Sequence, residues 1–196
     1  MQDIGNYIVQ TLGGIYLLIC LLRVVLQLVR ANYYNQMSQA IVLATKAPIQ
    51  ILRPILPNIG RIDLAAMLWM FIVAFGVIQV SALMAGYGLV DILTAISWSL
   101  IGTLHLLYKV LFYGGLAVIV INLLIGLGGM YISHPLVDFL NQLILPFMEP
   151  FRRIIPAFGG LDLSPILFFL TLEVCKQVII NLAISTRVVP IFVLGF

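Results

Sequence analysis

Apolar residues along this chain gather into four long runs. Between the first and second runs, and again between the third and fourth, lie shorter segments where polar side chains return at regular intervals. Tyr7 to Val29 holds one charge, Arg23, and Leu64 to Ala85 holds none. The third run extends from Leu89 to Ile132 and the last from Leu163 to Ile184. Each exceeds the roughly 18 apolar residues that cross hydrocarbon, and none alternates like a barrel strand, so the pattern predicts membrane-spanning α-helices. The first run is too long for a signal-peptide core and lacks a basic leader and a small-residue cleavage site, so it is read as a retained span. The 44 residues of the third run would make a single helix about 66 Å long at ~1.5 Å per residue, twice the hydrocarbon thickness. That run is either one span with a long extension or two spans.

The intervening segments have helical spacing of their own. From Met37, apolar residues fall at 37, 40, 41, 44, 48, 51, 52 and 55, against Gln39, Lys46, Gln50 and Arg53. Leu136, Phe139, Leu140, Leu143, Phe147 and Phe151 oppose Asp138, Asn141, Gln142, Glu149, Arg152 and Arg153 in the same way. Such segments, over 37–56 and 136–155, are too short to span and are expected to lie in the headgroup layer with their basic residues toward anionic lipid. Prolines at 48, 54, 146 and 150 predict breaks, since an interior proline costs a helix about 3 kcal/mol.

An offset of 99 residues lays RPILPNIGRIDLAAML, 53–68, on RRIIPAFGGLDLSPIL, 152–167, with seven of sixteen positions identical. The identities include Arg53/Arg152, Pro57/Pro156, Gly60/Gly159 and Asp63/Asp162. The chain therefore reads as two tandem copies of span, amphipathic helix and span. The first covers 1–85, with spans near 7–29 and 64–85; the second covers 105–196, with spans near 105–129 and 163–184. Residues 86–104 join them, as an interfacial segment or an extension of the third helix. Each bend from surface helix to span is an elbow. Pro156 ends the surface helix, Gly159 and Gly160 allow the sharp turn, Asp162 or Ser164 caps the last span, and Ser164-Pro165 suits a first turn. In the first copy the cap falls to Asp63, and the arginines are placed to pair with the aspartates or with lipid phosphate.

Composition and charge sharpen this picture. With 63% hydrophobic and 9% charged residues and a mean hydropathy of +1.17, a 196-residue chain has more apolar surface than a water-soluble interior can hide. Arg30, Lys46, Arg53, Arg61, Arg152 and Arg153 cluster in the two connectors, while the N-terminal flank and the central joint offer Asp3 and Asp91. Retention of basic loops in the cytoplasm then predicts both connectors inside and both termini outside, which four spans satisfy and five do not. Arg187 is the exception.

The duplicated, proline-punctuated motif carried by Arg53, Pro57, Gly60 and Asp63, and by Arg152, Arg153, Pro156, Gly159, Gly160, Asp162, Ser164 and Pro165, resembles that of the YggT family of bacterial inner-membrane proteins, called YlmG in plastid and cyanobacterial relatives. The first copy departs from the fuller motif at Pro54, Arg61 and Ala65-Ala66. The resemblance implies a four-span fold in the bacterial inner membrane and links to osmotic stress tolerance, ion homeostasis and envelope maintenance. For plastid relatives it implies links to cytochrome assembly and nucleoid distribution. It implies no shared catalytic activity.

The residues themselves suggest no enzyme. Cys20 and Cys175 lie inside predicted spans without a C-x-x-C or haem-attachment motif, and read as core residues. His105 and His134 are isolated and read as interfacial hydrogen-bonding groups, with axial haem ligation as the alternative. No cofactor or metal is expected, and a net charge of +3 reflects topology and lipid contact with nothing to suggest nucleic acid. Charges inside spans are the sharper clue, because each is costly in hydrocarbon. Arg23 and Glu173 lie about 10 and 15 Å from the same membrane face at ~1.5 Å per residue, close enough in depth to pair, and Lys176 is a competing partner for Glu173. Two functions remain. One is an accessory protein docking anionic lipid and a membrane-protein partner through the paired elbows. The other is a channel or transporter component, which a second copy of the chain would complete.

Overall fold

The computed structural model describes residues 2–128, 134–154, 162–189 and 193. It is all-helical there, with α1 at Gln2–Leu28, α2 at Gln36–Leu52, α3 at Leu64–Met84, α4 at Ile92–Gly128, α5 at Pro135–Ile154 and α6 at Ser164–Ser185. Four segments are long and apolar enough to cross a membrane: Ile4–Leu28, Leu64–Met84, Ile92–Gly126 and Ser164–Ser185. This is the multi-pass architecture the four apolar runs predict.

The long third run is a single helix. α4 starts at Ile92, so residues 92–104 continue the third helix. The loop before it is pinned by Gln79 of α3, whose side-chain amide donates to Val90 O and whose Oε1 accepts from Val90 N, both at 2.9 Å. At the same end of the bundle Trp98 Nε1 donates to the carbonyl of Thr186, just past α6, at 3.1 Å. Trp98 is therefore level with the end of α6, and α4 overshoots it by about two turns at ~3.6 residues per turn.

The spans pack in the order α1, α3, α4, α6, with α1 also touching α4. Leu17, Leu21, Val25, Ala74, Leu111, Val118, Phe168 and Leu172 form the buried seam. Outward faces remain apolar, with Ile15, Ile72, Leu116 and Leu170 exposed. Lipid is as apolar as these side chains, so close packing of small residues and interhelical polar contacts hold such helices together. Gly13 faces Val77, and Gly115 faces Phe168, where an added Cβ would approach to 2.5 and 3.0 Å. Trp69 Nε1 donates to Tyr16 Oη at 3.1 Å, joining α3 to α1.

α2 packs on α1 and α3, α5 packs on α4 and α6, and the two touch each other. Both connectors therefore cover the same end of the bundle. Asn32 N donates to Gln142 Oε1 and Asn35 Nδ2 to the carbonyl of Pro135, each at 2.7 Å.

One expectation about the connectors needs correction. Pro54 does stand at the end of α2, but the other prolines break nothing: α2 runs through Pro48 and α5 through Pro146 and Pro150. Pro146 and Pro150 lie on the exposed side of α5, opposite Phe139, Leu143, Ile144 and Met148, where a freed carbonyl tilts outward while packing holds the other face. The face of α2 turned to the bundle shares only Ile41 with the apolar stripe. It is Ser38, Ile41, Thr45 and Ile49, while Met37, Leu43 and Ile51 are exposed. Most of the apolar stripe is thus free to face lipid, and the inward face carries two buried hydroxyls, of which Thr45 serves Arg23.

Candidate functional site

The first bend is complete in the described residues. α2 stops at Leu52, ahead of Pro54, with Arg53 at its C-cap. The exposed chain around Pro57 leads into a tight turn closed by paired backbone hydrogen bonds between Ile59 and Ile62, 3.0 Å each way. Gly60 sits in that turn at φ +60, a left-handed conformation that costs a residue with a Cβ roughly 1 kcal/mol or more. Asp63 then caps α3, its Oδ1 accepting from Ala66 N at 3.0 Å. Its Oδ2 takes Arg53 Nη2 at 3.2 Å, so one buried carboxylate ties the end of α2 to the start of α3.

The second bend repeats this bond at the same separation of ten residues. Arg152 Nε donates to Asp162 Oδ2 at 3.0 Å, and Arg153 Nη2 donates to Glu149 at 2.6 Å. Asp162 accepts from Ser164 N at 2.9 Å. The Ser164 side chain beside it, with that N–H and Arg152, holds its carboxyl below the usual carboxylate range. α6 opens at buried Ser164 with Pro165 in its first turn. Pro156, Gly159 and Gly160 lie outside the described residues.

Arg23 does not meet Glu173. It is buried against α2, where Nη1 donates to Val42 O and to Thr45 Oγ1, both at 3.0 Å. A guanidinium in a span needs acceptors, and the hydroxyl of Thr45 on the inward face of α2 supplies one. Glu173 instead pairs with Lys176 on α6 and accepts from Tyr108 Oη of α4 at 2.8 Å. Lys176 also stands 5.6 Å above the Tyr108 ring, and His105 stacks with that ring at 5.8 Å between ring centres. His105 is therefore a buried helix residue stacked on tyrosine. Cys20 is buried, Cys175 is exposed, and both are free thiols. Among the described residues, no group of His, Cys, Asp or Glu is arranged to hold a metal ion.

Sequence reading missed three participants. Thr45 was indistinguishable from any small polar residue of an amphipathic helix. Tyr108, inside an apolar run, gave no signal of its partner. Lys109 beside it is a further intramembrane charge that a count of charges within the third span would have found.

A cavity of about 710 Å³ opens between the end of α1, the side of α2 and the first bend. Arg23, Arg30, Lys46, Arg53 and Arg61 line it, with Tyr33 at its edge. Burial raises the Tyr33 hydroxyl above its ordinary pKa, so it stays a neutral donor. The side chains of Arg30, Lys46 and Arg61 make no hydrogen bond or ion pair among the described residues.

Each half of the chain thus has two long helices flanking a shorter one, with an Arg–Asp tie at the bend. The sequence profile described as CCB3/YggT matches residues 3–84 and 97–183. The chain belongs to the CCB3/YggT family. It is 40% identical over 176 residues to an uncharacterized protein of Pseudomonas aeruginosa, covering 89% of this chain and 87% of that one. An uncharacterized protein of Vibrio alginolyticus is 35% identical over 173 residues, 86% of this chain and 89% of that one. The protein of Escherichia coli K12 named YggT is 30% identical over 175 residues, 88% and 87% of the two chains. No solved structure matches this CCB3/YggT chain. The matched residues take in the first bend from Arg53 to Asp63 and the second from Arg152 to Pro165, so both Arg–Asp ties fall within the family's extent.

Proposed function

We propose that this CCB3/YggT protein is a non-catalytic accessory protein of the bacterial inner membrane, built from two tandem repeats, with both termini periplasmic. Its paired surface helices, α2 and α5, form a cytoplasmic platform that docks anionic lipid and a membrane-protein partner, in support of envelope or membrane-complex maintenance and osmotic stress tolerance. The observation that carries this reading is the adjacency of α2 and α5, joined through Asn32–Gln142 and Asn35–Pro135 at one end of the bundle. The first connector brings Arg30, Lys46, Arg53 and Arg61 to that face and the second brings Arg152 and Arg153, which are paired with Asp162 and Glu149, and this bias of lysine and arginine supports a cytoplasmic placement of the face.

The test is sided labelling. In a variant with Cys20 and Cys175 replaced, single cysteines at Lys46 and Glu149 should both react with a membrane-impermeant thiol reagent in inverted vesicles and stay silent in spheroplasts. Opposite sidedness of the two positions would end the platform reading. Photocrosslinking from α5 in cells should then trap a partner band that Arg152→Gln/Arg153→Gln removes.

A second reading rests on Glu173, Lys176 and Tyr108. Glu173 is 43% exposed on a membrane-spanning helix, an expensive place for a charge unless another subunit or a polar path covers it. Purified protein in liposomes that passes K⁺ or Na⁺, with flux altered by Glu173→Gln, would favour an oligomeric channel component over the platform.

A further inference from the structure

We propose that the cavity bounded by α1, α2 and the first bend is a binding site for a phosphate monoester or diester group, with Arg23 as its floor. The inference rests on the platform reading and deepens it, by assigning the anion contact to one site in the first half of the chain.

Charge makes the first argument. Five cationic side chains line the cavity. The nearest carboxylate, Asp63, is already committed to Arg53 and the Ala66 N–H. Arg30, Lys46 and Arg61 therefore face the space without a counter-ion among the described residues. Like charges gathered so closely repel one another, and an anion with two negative oxygens relieves that repulsion. Guanidinium groups match phosphate oxygens through paired N–H donors, and the lysine adds a point charge.

Arg23 supplies the second argument. It is 7% exposed, and its Nε has no hydrogen-bond partner among the described residues. The bonds from Nη1 to Val42 and Thr45 fix the guanidinium against α2. A buried donor on a charged group is costly to leave unpaired, and a ligand oxygen reaching the cavity floor would satisfy it. Arg30 adds a smaller point. It holds φ +55 just past the end of α1, where glycine is ordinarily preferred. An arginine kept there contributes a cationic side chain to the cavity wall.

The third argument compares the two halves. At the 99-residue offset, Arg23, Thr45, Lys46 and Arg61 correspond to Asn122, Ile144, Leu145 and Gly160. Ile144 is fully buried and fills the space left by Gly114, and Asn122 is bonded to Asn141 at 3.3 Å. The second half opens a smaller cavity of about 390 Å³ at the corresponding place, lined by Asn141, Leu145, Glu149 and Arg152, whose one cation is paired with Asp162, whereas the first half gathers five cationic side chains there. The cavity is larger than a bare phosphate needs, and it lies at the bend end of the bundle, where lipid headgroups would reach it. Phospholipid headgroups and soluble phosphate share the recognising chemistry and differ in the rest of the molecule.

The full-length protein would be purified in a neutral detergent and placed in nanodiscs of phosphatidylcholine alone, or doped with phosphatidylglycerol or cardiolipin. Native mass spectrometry reads retained lipid, and thermal unfolding in the phosphatidylcholine discs reads protection by inorganic phosphate and pyrophosphate. Retention of anionic lipid over phosphatidylcholine, weakened about tenfold by Arg23→Met as expected for loss of a charge-assisted contact, supports the site and identifies a lipid source. Protection by inorganic phosphate or pyrophosphate, lost in the same variant, supports a soluble source. Because Arg23→Met faces the risk of misfolding, Lys46→Gln/Arg61→Gln, both exposed, should show the same loss with unchanged thermal stability in the absence of ligand. Equal anion binding by wild type and both variants, or no anion binding by the wild type, would overturn the proposal. The platform is read separately: Arg152→Gln/Arg153→Gln should lose partner crosslinks while retaining the anion, and the cavity variants should keep both helices labelled from one side.

Discussion

Arg53 and Asp63 meet at 3.2 Å with unequal exposure: the carboxylate is completely buried and the arginine side chain is 47% exposed. The half-exposed ion pair alone is worth little, since water screens it. The larger share of the stability comes from the carboxylate as a buried cap on α3, because removing it strands the Ala66 N–H as well as the arginine. Asp63→Ala should therefore destabilise the protein by about 2 kcal/mol, and Asp63→Asn by less because an amide oxygen still caps. Asp162→Ala should cost less than Asp63→Ala, since Asp162 is 39% exposed. Thermal unfolding of the three variants in one detergent checks the order, and equal losses at the two aspartates would contradict it.

Asp162 also predicts an acid dependence. Its folded-state pKa is depressed by Ser164 and Arg152, so its contribution is fully present above the unfolded carboxylate value and is lost as pH falls through the folded one. The second bend should loosen only below about pH 4, the ordinary range for aspartate. Asp162→Asn should flatten that part of the stability profile by lowering neutral-pH stability toward the level the wild type reaches in acid. A Trp or Tyr fluorescence titration of unfolding midpoints between neutral and acid pH would show it.

Gly60 separates conformational cost from crowding. Its φ is +60 and nothing lies within 4 Å of an added Cβ, so Gly60→Ala should cost about 1 kcal/mol through the backbone alone. Gly60→Asn should recover part of that, because asparagine tolerates the left-handed region. Hydrogen exchange at Ile59 and Ile62, the residues that close the turn, should rise in the alanine variant and fall back in the asparagine one.

Much of this architecture was legible in the sequence because its signals are local. Runs longer than a membrane crossing gave the four spans, and Arg53 with Asp63 and Arg152 with Asp162 sit at a fixed separation that survives as two bonds. What the sequence left open was non-local. Whether Arg23 turns to α6 or α2 depends on helix rotation, and helical periodicity does not fix which neighbour faces a given side. The same ignorance hid the inward face of α2, where Thr45 stands in place of an apolar residue and accepts from Arg23. The prolines misled for a related reason: their cost is real, but packing of Phe139, Leu143, Ile144 and Met148 across α5 outweighs it.

Two glycines of α1 test the packing of the first and second spans with opposite expected signs. An added Cβ on Gly13 would approach Val77 Cγ2 to 2.5 Å, and on Gly5 would approach the terminal methyl of Met84 to 2.7 Å. Valine is β-branched and stiff at χ1, so the clash at Gly13 must be taken up by the helices, and Gly13→Ala should cost about 1–3 kcal/mol. Met84 is unbranched and can swing its methyl away, while alanine favours the helix over glycine by about 1 kcal/mol. Gly5→Ala should therefore be neutral or stabilising. Val77→Ala introduced into Gly13→Ala should restore most of the loss, a coupling that only direct contact between α1 and α3 would produce. Unfolding midpoints of the two single variants and the double one decide the matter, and additive effects of Gly13→Ala and Val77→Ala would mean that the two helices meet in a different register.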